Sequence, residues 1–346
     1  MKQIVEGTTK LKVETPKIVS KDMQTFYNPI MKANRDLSIL LLNSLSKTNM
    51  RIALPLAASG IRGIRFFKEL KSNKIKSLSM NDMKPEAIKK IKENLKLNKI
   101  TSKKILVNLG DANQFLYNNK CFDYIDIDPF GSPNHFLDAS LKRILNNGIL
   151  AVTATDTSAL AGSYPTACLR KYQATPKKDH NKHESGLRIL IKKCQVVAAQ
   201  YDKALSPIFS YFKDHYYRIF FKVQKGKTKA DKIIKQHKMF NKAGPLWSGQ
   251  LWDKKLTSLM AKNNQFKELQ KFLDTIKEES KINEVGTLNI HSLAEKYKLP
   301  KLPKTKLLLE TIKEKKHKVA ISHIDSVSLK TTIDEKQLVA LIKLII

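Results

Sequence analysis

The sequence predicts an α/β protein with an open, mostly parallel sheet and an antiparallel edge hairpin, followed by a smaller α+β C-terminal domain. Three observations predict this fold. Short apolar strands alternate with helical segments between residues 52 and 154, as in parallel sheets with right-handed crossovers. Several of these strands end at an acidic residue. Two further strand patterns, 207–212 and 216–223, are separated by three residues, which is typical of a β-hairpin.

The N-terminal part should begin with extended segments and then form a helix. Residues 1–24 are polar with scattered β-branched residues. Asn28 and Pro29 suit the cap and the first position of a helix that reaches about residue 45. Phe26 precedes this helix and could form a hydrophobic staple with it. Arg35 lies about one turn further in and could face a carboxylate.

A turn of small residues follows the first strand, 52–56. Ser59 and Gly60 would let a ligand approach the backbone, and the helix that starts near Ile64 would favour negative charge at its N-terminus. Arg62 lies between this turn and the helix. The turn is a weak signal alone, and it lacks the G-x-G-x-x-G pattern of dinucleotide-binding enzymes.

Acidic residues follow the second and third strands. Asp82 ends the strand 77–81 and lies 22 positions after Gly60, a spacing that suits a carboxylate bonded to a ribose diol. Asp111 and Ala112 follow the third strand, 105–107. Asp111 could bond an adenine amino group or cap the helix 112–118, and the sequence favours neither.

The most informative stretch is DYIDIDPFGSP, residues 123–133. A buried strand ends at Asp128, and Pro129 then fixes the backbone before an aromatic residue, Phe130. The carboxylate can accept hydrogen bonds from an amine, and the ring can stack on a base. Sites in open parallel sheets lie beyond the carboxyl ends of the strands. A simpler interpretation is an acidic turn, since Asp-Pro commonly starts one.

The remaining chain predicts one more sheet strand and a separate second domain. Gly148 to Ala154 is the fifth strand, and the hydroxyl-rich residues 153–157 could line a site or form a polar turn. An amphipathic helix is expected at 184–201. We place a boundary after residue 224, which gives domains 1–224 and 225–346. The second domain should contain small helices at about 254–262, 265–279, 288–299 and 303–316, and strands near 319–324 and 326–330.

The charge indicates a polyanionic partner. The chain of 346 residues has 64 basic and 31 acidic side chains, a formal net charge of +33. The excess is found on both sides of residue 224, so both predicted domains carry positive surface. Nucleic acid is the expected partner, although a lysine-rich proteome would give the same composition.

Cysteine content and hydropathy indicate the cellular compartment of the protein. Only three cysteines occur, none at C-x-x-C spacing, which favours a reducing compartment and argues against a zinc site. No run of about 20 apolar residues is present, so we expect no membrane span. These features predict a cytoplasmic protein without a metal.

Taken together, the sequence blocks resemble the tRNA (guanine-N2-)-dimethyltransferase family of class I methyltransferases. The specific blocks are Phe26-Tyr27-Asn28-Pro29, Asn34-Arg35-Asp36-Leu37, Ser59 to Arg65 and Asp126 to Pro133. Later blocks are similar as well: His183-Glu184 with Leu187-Arg188, Ala243 to Trp247, and Leu329-Lys330-Thr331. The resemblance therefore spans almost the whole chain and implies the Rossmann-like sheet of that class.

The resemblance also implies an activity and a set of site residues. Such enzymes dimethylate the exocyclic N2 of guanine 26 in tRNA with S-adenosylmethionine. By this similarity, Asp128 is the catalytic acid/base, and Phe26 and Phe130 stack on the base. The similarity, with the turn described above, assigns cofactor contacts to Arg35, Ser59, Gly60, Arg62, Asp82, Asp111 and Ala112. Some relatives carry a cysteine cluster that residues 225–242 lack, so no zinc is carried over.

Three alternatives stay open. Another amino-methyltransferase acting on DNA, another RNA or a protein amide would use a similar acid-Pro-aromatic motif, although the net charge argues against a protein substrate. A non-catalytic RNA-binding protein on the same fold would not need Asp82, Asp111 and Asp128 together. A nicotinamide dehydrogenase is the weakest alternative, because its glycine pattern is missing.

Overall fold

The N-terminal residues form a β-hairpin in the computed structural model of the chain, which describes residues 2–13 and 27–346. Strands β1 (Lys2–Glu6) and β2 (Thr9–Val13) pair antiparallel. Leu11 and Val13 are buried in a small apolar cluster with Ile61. The extended character expected for residues 1–24 is therefore confirmed for residues 2–13, whereas 14–24 and Phe26 lie outside the described residues.

A seven-stranded sheet forms the centre of the fold. Its strands are β3 (Met50–Leu54), β4 (Ile75–Asp82), β5 (Ile105–Leu109), β6 (Phe122–Ile127), β7 (Ile144–Ala154), β8 (Lys203–Lys213) and β9 (Tyr216–Lys225). The spatial order is β5-β4-β3-β6-β7-β9-β8. The pairs among β3 to β7 are parallel. Only Asp214 and His215 separate β8 from β9, and such a short connection joins antiparallel strands. The predicted sheet and its edge hairpin are confirmed.

Helices connect the parallel strands, because each crossover must return the chain to the end of the sheet at which the strands begin. Helix α1 (Lys32–Ser44) precedes β3, and the connecting helices are α2 (Ile61–Glu69), α3 (Pro85–Leu97), α4 (Ala112–Asn118) and α5 (Asn134–Arg143). After β7 come α6 (Thr157–Leu160), α7 (Pro165–Tyr172) and α8 (Lys182–Ala199), and after β9 comes α9 (Lys227–Ile234). The first turn before α1, Pro29–Met31, is a 3-10 helix capped by Asn28, as its sequence predicts.

The C-terminal third has two further small sheets. Strands β10 (His237–Phe240) and β11 (Ala243–Trp247) form a hairpin, and helices α10 (Lys254–Lys262) and α11 (Gln270–Glu279) follow. The last elements are β12 (Leu288–Asn289), α12 (Ile290–Lys296), α13 (Thr305–Glu314), β13 (Val319–Ile321), β14 (Ser328–Thr331) and α14 (Glu335–Ile345). Strands β12, β14 and β13 lie side by side in that order, and α12, α13 and α14 share an apolar core with them.

The chain folds into two compact units whose segments alternate along the sequence. The first unit contains Met1–Asp156, as far as those residues are described, together with Cys194–Ser206 and Arg218–Lys235. The second contains Thr157–Lys193, Pro207–Tyr217 and Gln236–Ile346. The boundary expected after residue 224 remains a prediction.

The sequence did not predict α6, α7, α9, the β10–β11 hairpin or α14. In α9 only Ala230 and Ile233 are buried, and the surrounding lysines hide that weak apolar stripe. Helix α7 begins at Pro165, a usable start signal. Helix α2 begins at Ile61 rather than near Ile64, because Gly60 ends the turn immediately before it.

Candidate active site at the carboxyl edge of the parallel strands

The turn between β3 and α2 has the tight backbone that the sequence predicts. Gly60 adopts φ +77°, which favours glycine, and a Cβ there would lie 3.1 Å from the Ile91 side chain of α3. Ser59 is fully buried, and its carbonyl accepts a hydrogen bond from Asn94 at 3.0 Å. The turn is thus fixed by α3, and the backbone N–H groups of Ala57, Ala58 and Gly60 donate hydrogen bonds to Asn81, Asp82 and Ala57.

Asp82 joins this turn to the end of β4. Its Oδ2 accepts a hydrogen bond from the backbone N–H of Ala58 at 2.8 Å, and its Oδ1 accepts one from Lys84 at 3.1 Å. Each carboxylate oxygen has further lone-pair capacity. The next residue, Met83, is 70% exposed although it is apolar. The structure therefore brings Asp82 and the glycine turn together, and Met83 is an exposed apolar neighbour that the sequence reading missed.

Asp111 caps helix α4. Its Oδ1 accepts hydrogen bonds from the backbone N–H groups of Asn113 and Gln114, both at 2.9 Å. Beside it lies a cavity of about 170 Å³ that Asn81 and Asn108 also line. Asn81 is almost fully buried, and its Oδ1 is without a hydrogen-bond partner among the described residues. The capping interpretation of Asp111 is thus observed, and Ala112 is buried directly after it.

Asp128 lies just beyond the fully buried strand β6. Its Oδ2 accepts a short hydrogen bond from Nη2 of Arg62 in α2. The Asp128 side chain is 20% exposed, whereas the Arg62 side chain is 9% exposed. Burial alone would lower the pKa of Arg62, but the charges of Asp126 and Asp128 raise it, so the guanidinium stays charged. Two predicted site residues are therefore in direct contact.

The loop after Asp128 presents an aromatic ring. Phe130 is 51% exposed. The backbone N–H of Gly131 donates to Oγ1 of Thr155 at 2.7 Å, and the backbone N–H of Thr155 donates to the Gly131 carbonyl at 3.0 Å. Two reciprocal hydrogen bonds thus fix the loop that carries Phe130. Of the hydroxyl-rich residues 153–157, Thr155 has this supporting role.

A buried charged cluster lies below Asp128, and sequence reasoning did not identify it. Arg218 of β9 donates two hydrogen bonds to Asp126 of β6, both at 2.8 Å, and both side chains are within 1% of full burial. Burial would raise the pKa of Asp126, but Arg218 and Arg62 outweigh it and lower that pKa. One signal was available: Arg218 is the only charged residue in the apolar sequence segment 216–221.

Arg35 lies in a different charged cluster. Its guanidinium donates to both carboxylate oxygens of Glu6, at 2.6 and 2.5 Å, and to the Asn28 carbonyl at 3.1 Å. Glu6 also accepts hydrogen bonds from Arg65 and from the Tyr27 hydroxyl, both at 2.9 Å. Burial together with Glu6 raises the pKa of Tyr27 to about 12. The cluster connects the N-terminal hairpin to α1 and α2.

Two kinds of feature are absent from residues 2–13 and 27–346. No group of three or more His, Cys, Asp or Glu side chains is arranged to hold a metal ion there. Among the helices of these same ranges, none combines the length and the apolar character that crossing a membrane requires.

Comparison with known proteins gives matches over nearly the whole chain. The sequence model of the N2,N2-dimethylguanosine tRNA methyltransferase family matches residues 7–242 and 236–343. An Aquifex aeolicus protein named tRNA (guanine(26)-N(2)/guanine(27)-N(2))-dimethyltransferase is 39% identical, over 90% of this chain and 89% of its own. A Methanococcus maripaludis tRNA (guanine(26)-N(2))-dimethyltransferase is 38% identical, over 99% and 98%.

A solved structure is similar throughout. It is the complex of Trm1 from Pyrococcus horikoshii with S-adenosyl-L-methionine, with a TM-score of 0.89 and 31% sequence identity. The match covers 99% of this chain and 100% of that one. The shared architecture therefore includes the sheet edge described above.

Proposed function

Because this chain belongs to the N2,N2-dimethylguanosine tRNA methyltransferase family, we propose that the carboxyl edge of its parallel strands holds S-adenosylmethionine and guanine 26 of tRNA. The protein transfers methyl groups from S-adenosylmethionine to the exocyclic N2 of that guanine, giving N2,N2-dimethylguanosine. The observation that carries the site assignment is the contact between Arg62 and Asp128 beside the exposed ring of Phe130.

The cofactor fits the residues at this edge. The turn at Gly60 lies beside Asp82, which retains acceptor capacity for a ribose diol. The buried, unpartnered Oδ1 of Asn81 lines the cavity beside Asp111, which suits a ligand with amino groups such as adenine. Arg62, Ser59 and Ala112 are proposed as further cofactor contacts, and Arg35 is proposed from the sequence resemblance alone, because its guanidinium is bonded to Glu6.

Asp128 is the group that we assign to the reacting amine. Guanine N2 is a poor nucleophile because its lone pair is delocalised into the ring. S-adenosylmethionine supplies a methyl group on a sulfonium, which leaves readily. The Asp128 carboxylate can accept a hydrogen bond from N2–H, orient the lone pair and take the proton late. Arg62 keeps the carboxylate in place through the contact at Oδ2.

Phe130 supports the base outside its stack. A guanine that is paired or stacked in tRNA must be extruded before its amine can react, at a cost of a few kcal/mol. Stacking on an aromatic ring contributes about 1–3 kcal/mol per base and offsets part of that cost. Phe26 is proposed as a second stacking partner from the sequence resemblance alone.

The positively charged side chains bind the phosphates of the tRNA. Residues 225–346 are proposed as a tRNA-binding domain, with 26 basic and 13 acidic side chains. Three cysteines, none of them in a disulfide, support the cytoplasm as the place of the reaction.

Nucleoside mass spectrometry of unmodified tRNA, incubated with the protein and S-adenosylmethionine, tests this function. We expect N2,N2-dimethylguanosine to form, and to disappear when position 26 is changed to adenine. Since the Aquifex relative is also named for guanine 27, a tRNA with adenine 26 and guanine 27 is the informative second substrate. Methylation of DNA instead of tRNA, or no methylation at all, would contradict the proposal.

A further inference from the structure

The buried cluster below Asp128 contains two guanidinium groups and two carboxylates. Arg218 pairs with Asp126 through two parallel hydrogen bonds at 2.8 Å, a fork geometry that fixes both groups. Arg62 lies between this pair and the site, with Nη1 at 3.5 Å from Asp126 and Nη2 on Asp128. The four charges therefore balance.

Five elements of the first unit contribute to the cluster. Arg218 also donates to Thr153 of β7 at 2.9 Å and to Ser38 of α1 at 3.1 Å. Ser38 in turn accepts a hydrogen bond from Arg62 at 3.0 Å. The Tyr124 hydroxyl donates to Asp126 at 2.6 Å. Arg62 is thus held from α1 and β6, and these contacts fix the direction of its second nitrogen toward Asp128.

Stability alone is a poor reason for such a cluster. A buried ion pair loses solvation on both charges, and well-packed apolar residues of similar volume often give an equally stable fold. Arg218 and Asp126 are within 1% of full burial, yet Asp128 at the end of the chain of contacts is 20% exposed. The fixed charges therefore connect the core to the Asp128 carboxylate at the sheet edge.

On the basis of the function proposed above, we propose that Asp126 and Arg218 are positioning residues for methyl transfer. They hold Arg62 and, through it, set the orientation and the charge environment of Asp128. The charged and titratable groups around Arg62 are Asp126, Asp128 and Tyr124 of the β6 segment and Arg218 of β9. Removing the charge of Asp126 or of Arg218 should therefore change the electrostatic environment of the Asp128 carboxylate.

Two single variants test this, because they change the charge in opposite directions. Asp126→Asn leaves Asp128 near two guanidinium groups, so its carboxylate is favoured. The acidic limb of the single-turnover pH–rate profile should move to lower pH by about one unit. Arg218→Gln leaves two carboxylates around Arg62, and the limb should move to higher pH by a similar amount. Loss of fold cannot produce opposite shifts.

The double variant Asp126→Asn/Arg218→Gln removes both charges and keeps the test decisive if a single variant fails to fold. Its charge is balanced again, so the acidic limb should return toward that of the wild type. Its rate at saturating tRNA and S-adenosylmethionine should stay up to about 100-fold low, because Arg62 has lost its anchor.

Glu69→Gln is the matched control. Glu69 is 5% exposed and pairs with Arg65 at 2.7 Å in the same unit, but this pair has no contact with Asp128. The control should lower the melting temperature and leave the acidic limb in place. If the folded double variant reacts at the wild-type rate, or if both single variants keep the wild-type pH profile, the inference is wrong. A normal rate in Asp128→Asn would instead contradict the proposed function itself.

Discussion

At the scale of single residues, Asp128 carries the chemistry that we propose. One carboxylate oxygen is bonded to Arg62, and the other remains for a substrate amine. In Asp128→Asn the amide oxygen would stay on the guanidinium, and the NH2 group would face N2–H, donor against donor. We expect the single-turnover rate to fall by about 10²–10⁴-fold, the range of general acid/base help. Affinity for tRNA and cofactor should stay near wild type.

A surface carboxylate provides the control for this variant. Asp138→Asn removes a charge that pairs with Lys142 on α5, where both side chains are nearly half exposed. Its rate should not change. If Asp128 only shapes the turn before Pro129, Asn should replace it well, since both residues favour turn starts. A rate within about threefold of wild type would then show that Asp128 is not the acid/base.

Asp82 gives a prediction about the cofactor. Asp82→Ala removes the proposed ribose acceptor and also frees the Ala58 N–H in the turn. We expect S-adenosylmethionine binding to weaken by about 1–3 kcal/mol in calorimetry. Glu86→Ala, an exposed change on the next helix, should bind normally. Equal affinity of Asp82→Ala and wild type would remove Asp82 from the cofactor site.

The sequence predicted the residues of the sheet edge better than their contacts. The order of acids after successive strands is local information, so Asp82, Asp111 and Asp128 could be chosen directly. The partners Arg218 and Asp126 are 92 positions apart, and one sequence does not report such long-range pairing. Arg35 could be predicted to face a carboxylate, but Glu6 precedes it by 29 positions and gave no signal.

At the scale of elements, α8 contains the His183-Glu184 and Leu187-Arg188 blocks that the sequence singled out without a role. Glu184 accepts hydrogen bonds from Lys330 of β14 at 2.6 Å, from Arg188 at 2.8 Å and from the Gly286 backbone at 2.9 Å. Lys330 is fully buried. These blocks therefore join α8 to β14 and to the loop before β12 within the second unit.

This connection predicts acid sensitivity. Burial would raise the pKa of Glu184, but Lys330 and Arg188 outweigh burial and hold the pKa at about 2, below its ordinary 4.5. A lowered folded-state pKa gives stability that is complete above about pH 4.5 and is lost as the pH falls toward 2. A shift of this size corresponds to about 3 kcal/mol. Denaturant unfolding between pH 7 and pH 3 should show about 2 kcal/mol of this loss, because pH 3 is still above the folded-state pKa.

Lys330→Met should remove the acid dependence along with much of the stability. The variant leaves the buried carboxylate with Arg188 as its remaining cation, and loss of one partner of a buried pair costs about 3–5 kcal/mol at neutral pH. Protonation of Glu184 relieves that cost, so the difference from wild type should shrink in acid. Lys296→Met, which breaks an exposed pair with Glu335, should behave like wild type. A constant difference between Lys330→Met and wild type at every pH would contradict the assignment.

At the scale of the whole molecule, a formal net charge of +33 should dominate binding of tRNA. Each phosphate that a lysine or arginine neutralises releases counterions, so log affinity should fall linearly with log salt, with a slope of about −0.7 to −0.9 per contact. Filter binding at about 50–300 mM salt measures this slope, because the screening of charges strengthens over that range. Binding of the cofactor should barely respond. If the affinity for tRNA did not change with salt concentration, the basic surface would not be the tRNA-binding surface.

The alternation of the two units along the chain has a consequence for synthesis. Glu184 emerges from the ribosome 146 residues before Lys330, which is about 7–30 s at translation rates of about 5–20 residues per second. Until then the Glu184 carboxylate and the apolar face of α8 cannot be buried, because the rest of the second unit has not been synthesised. The first unit is also incomplete until Lys235 has been made. The nascent chain therefore exposes apolar surface for this interval. A chaperone that binds the apolar face of α8 during synthesis should raise the yield of folded protein.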